Sequence, residues 1–386
     1  MKDNISKFEY CYGCGVCSAS CPRSIISIQL NDKGFYEPVI EKKDNCTECG
    51  ICLDVCAFNH SNCALEKVNV HSWAAWSNDD TIRKKCSSGG IGFEIGKQLI
   101  EQGYKAVGCR YDIKTHRAEH YVATSVEEFI YSMGSKYIQS YTEEAFKQIK
   151  RKDEKYLITG TPCQIDSFRR MIQKFHCEEN FVLMDFFCHG VPSMWAWKSY
   201  LSIQRKKVGD VTEVSWRNKD TGWHDSWMMN IKGEKGTIRS WHSKGDLFYR
   251  LFLGDLCLGA QCEHHCKYKC DNSSADIRIG DLWGKSYASD EKGVSALISF
   301  TPKGKNVVDN LQNVTLIDHD FTTVAEGQQK EMTQSRTFTP LVSWYLKKGY
   351  NINRFFYTIL KFQKFLSKNR WRLMYLYKRL RLWGKE

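Results

Sequence analysis

The chain has 386 residues, enough for two or three domains with a core each, and carries 18 cysteines and a formal charge of +12. A chain this long that opens on the polar stretch MKDNISKFEY has no signal-peptide pattern, so its cysteines read as reduced, metal-binding thiols of the cytoplasm rather than disulfides of a small secreted protein. The charge is unevenly placed: Leu346–Glu386 holds 12 Lys and Arg against one acidic residue, leaving 44 basic against 43 acidic residues before it, a balance that argues against nucleic-acid binding by the body.

The first pattern along the chain is Cys11, Cys14, Cys17 and Cys21 followed by Pro22, which is the bacterial ferredoxin run C-x2-C-x2-C-x3-C-P. Cys46, Cys49, Cys52 and Cys56 repeat it 35 residues later. In each run three thiolates wrap one cubane and the fourth reaches the partner cluster. Cluster one therefore takes Cys11, Cys14, Cys17 and Cys56, and cluster two takes Cys46, Cys49, Cys52 and Cys21. Two four-cysteine zinc sites would not require this triple-plus-one spacing in duplicate. Ile25–Leu30 and Tyr36–Ile40 flank Asp32-Lys33-Gly34 as a hairpin, and Ala57 stands where the first repeat has Pro22. The module is expected over residues 1–62, as an appendage to a larger body.

After a polar link near Ser61–Asn69 the pattern becomes that of an α/β domain, expected over 70–340. Ser72–Ala75, Ala106–Tyr111, Lys155–Thr159 and Phe181–Phe187 read as strands. Cys86-Ser87-Ser88-Gly89-Gly90 leads into a helix of about Ile91–Gln102, either as a phosphate-binding turn or as an ordinary serine cap. Gly160-Thr161-Pro162-Cys163-Gln164 precedes a helical stretch Ile165–Gln173, and Cys188-His189-Gly190-Val191-Pro192-Ser193 follows a strand. Both cysteines fall beyond strand carboxyl ends, where ligands bind in open α/β sheets; each can ligate a cluster, act as a nucleophile or fill space. Cys257, Cys262, Cys266 and Cys270 suggest another metal site with an ambiguous ligand set, in which His264 and His265 can also take part. Val211–Trp216, Ser226–Ile231 and Thr237–Trp241 alternate as strands of a tryptophan-rich antiparallel insert.

No apolar run approaches the roughly 20 residues needed to span a bilayer. The region 346–386 reads as a basic amphipathic helical tail, with Phe355, Ile359, Phe362 and Leu366, then Leu373, Leu376, Leu380 and Trp383, forming an apolar stripe among basic residues. Such a helix can lie on an anionic membrane face or pack on its own protein.

The ordered series SSGGIGFEIGKQLI, SKYIQS, GTPCQI, CHGVPS and DIRIGDLWG behind a two-cluster ferredoxin resembles the coenzyme F420 hydrogenase/dehydrogenase beta-subunit family, over roughly residues 10–300. Relatives include deazaflavin-oxidising subunits, ferredoxin-dependent reductases of chlorophyll metabolism and proteins of bacterial surface-polysaccharide synthesis, the last being the bacterial setting this chain matches. The resemblance implies an α+β protein: a two-cluster ferredoxin fold, an α/β flavin-binding body and the basic tail. It implies FAD, lined by Ser88, Gly89 and Gly90, by Ser135, Lys136 and Tyr137, and by Gly160, Thr161 and Pro162, with Lys136 as a cation toward phosphate or reduced flavin. It also implies a third cluster on Cys163, Cys188, Cys262 and Cys266. Relatives have C-x2-C where this chain has Cys262-x3-Cys266, which leaves Cys257 and Cys270 as further candidates. Asp281 either supports the site or caps a turn. The expected activity is that of a flavin- and iron–sulfur-dependent oxidoreductase, exchanging electrons with ferredoxin or another oxidoreductase subunit and with a small organic substrate, or else that of a non-catalytic electron-transfer subunit.

Overall fold

A computed structural model describes residues 4–65, 70–149, 153–333 and 336–353, together with 357, 358 and 369. In the N-terminal module β1 (Ile26–Leu30) and β2 (Tyr36–Ile40) pair antiparallel, with Ile26 opposite Ile40 and Leu30 opposite Tyr36. Gly34, at φ 82°, makes the turn. The two cysteine runs fold alike. Gly15 at φ 77° and Gly50 at φ 76° each lead a short helix, Val16–Ser20 and Ile51–Asp54, so that the chain turns sharply between the second and third cysteine of each run. Ile5, Ile25, Ile26, Ile28, Tyr36 and Leu53 close the core around Cys17, Cys52 and Cys56.

The body is built on a nine-stranded sheet. Its strands are β3 (His71–Ser77), β4 (Lys105–Asp112), β5 (Arg117–Ala123), β6 (Ser140–Tyr141), β7 (Tyr156–Thr159) and β8 (Phe181–Phe186), with β12 (Ile277–Asp281), β13 (Ser295–Ser299) and β14 (Val314–Asp318), in the order β14-β3-β13-β12-β8-β7-β4-β5-β6. The central run β12-β8-β7-β4 is parallel. The four expected strands are all present, within one or two residues at their ends. The remaining three strands, β9 (Val211–Ser215), β10 (Met228–Gly233) and β11 (Gly236–Trp241), form the separate antiparallel insert.

One helix begins earlier than its sequence suggests. Pro162–Lys174 is helical from Pro162, because Thr161 and Gln164 form a reciprocal capping box and proline suits the first helical position. Cys163 therefore sits in a first helical turn, not in a loop.

The ferredoxin module is not an appendage. The Gln139 side chain accepts from Tyr36 N at 2.8 Å and donates to Tyr12 O at 3.3 Å, and Thr142 Oγ1 donates to Cys14 O at 2.9 Å. On the other side Ser193 Oγ donates to Lys33 O at 2.6 Å and Trp195 Nε1 to Asp32 O at 3.0 Å. Ala57, the departure from proline, donates its N–H to Ser167 Oγ at 3.0 Å, a bond that proline lacks the hydrogen to make.

Glu143 is the buried centre of this docking, accepting from Ile28 N at 2.8 Å, Tyr141 Oη at 2.9 Å and Ser18 Oγ at 3.0 Å. Burial alone would raise its carboxyl; hydrogen bonds from Lys147, Ile28, Tyr141 and Ser18 outweigh that and hold its pKa below the ordinary value. A depressed carboxylate contributes stability that is present above its unfolded pKa, about 4.3, and is lost as pH falls through the folded value. Glu143→Gln is expected to cost roughly 1.5–3 kcal/mol at neutral pH and to flatten the acid limb of stability. Urea unfolding at pH 7 and pH 4 checks this; an acid limb as steep in the variant as in the parent would refute it.

At the other end, Val342 and Leu346 of the helix Thr339–Lys347, and Ile352 after it, pack against Ala196, Leu251 and Cys257. The expected tail thus starts inside a packed helix. Its stripe from Phe355 to Trp383 lies outside the described residues. Among the described residues no helix is long and apolar enough to cross a membrane.

Candidate cluster sites and cofactor cavity

The cysteine thiols gather in three groups. Burial raises the pKa of Cys11 and Cys17 well above the thiol value, and nearby thiols add to it: Cys14 and Cys56 for Cys11, and Cys14, Cys11 and Cys56 for Cys17. Around Cys52 the contributing thiols are Cys49, Cys21 and Cys46. These four line a small cavity of about 20 Å³, and Cys49 is exposed at its edge. Cys52 also acts on Cys17 and Cys56, so the two runs lie against each other, and the division into two ligand sets is the one expected from the spacing.

The third group comes from three separate segments of the chain. Cys163 is half-buried, with Thr161 Oγ1 at 3.2 Å from its sulfur, and its thiol is raised first by desolvation and then by Cys188, Cys262 and Cys14. Burial pushes Cys262 up to about 12, with Cys188 and Cys266 adding. Cys257 stands apart among Ala196, Leu251 and Val342, with no thiol among the groups acting on it. Cys270, at φ 57°, lines the same cavity as Cys188, and its carbonyl accepts from Arg278 Nη1 at 2.6 Å. His265 is a packing residue, its ring 5.6 Å from Tyr10 and 5.3 Å from Phe58, while His264 lies beside Glu263.

Buried thiols that oppose each other's ionisation suit a metal centre that supplies the compensating positive charge. Among the described residues no three His, Cys, Asp or Glu side chains converge on a point fit for one metal ion.

The groups are joined through the helix Pro162–Lys174. Ser167, one turn after Cys163, accepts from Cys14 Sγ at 3.3 Å and from Ala57 N at 3.0 Å. Tyr12 Oη donates to His265 O at 2.5 Å, and Lys267 Nζ donates to the carbonyls of Ala57, His60 and Asn62 at 2.9, 2.7 and 2.9 Å. Group one and group three are thus parts of one packed unit.

Beyond the carboxyl ends of β7, β8 and β12 lies a cavity of about 470 Å³, the size of a cofactor site and at the edge where open α/β sheets bind ligands. Ser88, Gly90, Ser135, Lys136, Tyr137, Gly160 and Thr161 line it, and so does Cys188. Two of the expected residues are not on its wall. Gly89 lies on the sheet, where an added Cβ would meet Ala75 O at 2.4 Å, and Pro162 is buried at its helix start. Gly90, at φ 89°, and not a serine, leads the helix Ile91–Glu101, which has no side-chain cap. Lys136 Nζ donates to the carbonyls of Tyr131, Ser132 and Met133 at 3.1, 3.0 and 2.9 Å. Burial lowers its pKa to about 8. It offers the cavity a positive field rather than a free donor.

Sequence reading missed Arg217, which no motif marks. Its fully buried guanidinium bonds Tyr137 Oη at 3.2 Å, Asp281 Oδ2 at 3.1 Å and Ser87 O at 3.2 Å, and lies over Trp227 at 4.8 Å and Trp283 at 5.3 Å. Asp281 also accepts from Trp223 Nε1 at 3.0 Å, so it ties the insert to the sheet instead of capping a turn. Ser87 was likewise unmarked; its Oγ accepts from Ser135 N and Oγ, both at 2.8 Å, joining two cavity loops.

Cysteine groups of this kind on a ferredoxin fold, packed against an α/β body with a cavity at its parallel edge, define an iron–sulfur protein of the oxidoreductase class. Residues 10–60 match the 4Fe-4S dicluster domain. Residues 72–147 and 153–320 match the N-terminal and C-terminal parts of the coenzyme F420 hydrogenase/dehydrogenase beta subunit, and the chain belongs to that family. Similar proteins are a subunit of the F(420)H(2) dehydrogenase of Methanosarcina mazei, 23% identical over 75% of this chain and 82% of that protein, and the beta subunit of the coenzyme F420 hydrogenase of Methanococcus voltae, 24% identical over 56% and 76%. A polypeptide of the F420-reducing [NiFe] hydrogenase complex from Methanosarcina barkeri superposes with a TM-score of 0.45 at 18% identity, covering 75% of this chain and 91% of that one.

Proposed function

We propose that the chain is an iron–sulfur flavoprotein that moves electrons singly along its clusters and in pairs through FAD, to reduce or oxidise an organic substrate or a deazaflavin. The observation that carries this reading is Cys188, which belongs both to the third thiol group and to the cavity wall. Ser167 supplies the other join, touching Cys14 of group one from the helix that bears Cys163. Group two, with Cys49 exposed, is the entry or exit point for a redox partner such as ferredoxin or another oxidoreductase subunit.

The cavity suits a flavin. The helix Ile91–Glu101 presents an uncapped N-terminus at its wall for phosphate, Lys136 adds positive field, and Trp227, Trp283 and Phe252 give apolar surface for a flat ring. FAD, when bound, supplies the conversion between one-electron and hydride chemistry. The protein's part is to hold the loops through Arg217 and Ser87 and to shield the ring from water with the tryptophan insert.

A second reading, a non-catalytic electron-transfer subunit, is favoured by the names of the relatives, both of which are subunits. Turnover by the isolated chain with a defined donor and acceptor separates the two. The test of the proposal itself is iron, sulfide and released flavin per chain on anaerobically purified protein. About twelve irons and one FAD are expected; about eight irons without flavin would overturn the reading of the body.

A further inference from the structure

Lys269 is only 8% exposed, an unusual place for a lysine. Its Nζ donates to Cys188 O at 2.8 Å, His189 O at 2.9 Å and Gln329 Oε1 at 2.9 Å, three neutral acceptors. Other cations nearby are matched by carboxylates: Arg278 by Asp185 at 2.7 Å, Arg217 by Asp281 at 3.1 Å, and Lys267 by Asp166 at 3.8 Å. Among the described residues Lys269 forms no ion pair. A buried ammonium facing only dipoles is costly unless an anion lies close by. Four thiolates on a cubane make such an anion, and one electron makes it more negative.

We infer that the Lys269 ammonium is the counter-charge of the third cluster and raises that cluster's potential beside the cavity. This rests on the third-cluster reading above. The change concerned is the gain of one electron by that cluster from a redox partner, with no proton moved and no bond made. A fixed positive charge stabilises the reduced, more negative form and so raises the potential. Lys269 and Arg278 are both cations acting on Cys188.

The test is a redox titration of the full chain followed by electron paramagnetic resonance. Lys269→Met is expected to shift the reduction equilibrium of one cluster at least tenfold, lowering its midpoint by about 59 mV, with the other two unmoved, and Lys269→Arg is expected to restore it. Three clusters with unmoved midpoints in Lys269→Met would overturn the inference. Should that variant lose iron, Gln329→Glu retains the ammonium and sets a carboxylate against it; the same midpoint must then fall, and its constancy would overturn the inference. An iron count near eight in the parent chain defeats the third-cluster reading itself, a result distinct from three clusters with unmoved potentials.

Discussion

Cys188→Ala is expected to remove about four irons per chain while leaving the two ferredoxin clusters reducible. The four thiols of group three come from the first turn of a helix, the stretch after β8, and the helix Ala260–His264 with the stretch after it, so no short segment can hold the cluster alone. Taking out one corner leaves three buried thiols that oppose each other's ionisation without a full ligand set. Cys257→Ala is the matched contrast. It removes a thiol that is more deeply buried but packed among Ala196, Leu251 and Val342, and the iron count is expected to stay as in the parent. Iron and sulfide analysis of both variants decides the matter. Equal iron loss from both would remove the basis for the quartet.

Asp185→Asn is expected to destabilise the body by roughly 3–5 kcal/mol. Arg278 meets Asp185 through two parallel bonds, Nε to Oδ1 at 2.8 Å and Nη2 to Oδ2 at 2.7 Å, with both side chains wholly buried. Ser273 Oγ adds a bond to the carboxylate at 2.7 Å, and Arg278 also bonds Cys270 O at 2.6 Å and Asn272 O at 3.0 Å. The pair therefore fixes the loop 270–274 to the sheet beside the third thiol group. Neutralising the carboxylate strands a guanidinium between Phe187 and Phe300, at 5.4 and 5.8 Å from their rings. Replacing Arg278 by Met in the same chain removes the stranded charge and should recover much of the loss. Urea unfolding of the single and double variants measures this, and a single variant within about 1 kcal/mol of the parent would show that the pair is not the anchor.

The two ferredoxin cysteine runs were legible from sequence because three ligands expected of each cluster come from one short run and the duplicated spacing supplies the fourth from the other. The hairpin between them, the body's strands and the tryptophan insert were legible for the same reason, since periods of two and turn residues are local signals. What the sequence could not show was convergence. Ala57 looked like a minor lapse from proline until its N–H was seen to bond Ser167, and the ferredoxin module looked separable until Glu143 and Gln139 were found inside its contacts. That Cys257 stands apart from Cys163, Cys188 and Cys262 likewise follows from where distant segments meet, and Arg217 and Lys269 acquire meaning only from the groups around them. The sequence by itself determined the ferredoxin-type domain, the class and the order of elements; only the tertiary structure decided which buried charges and thiols face one another, because burial and pairing are properties of residues far apart in the chain.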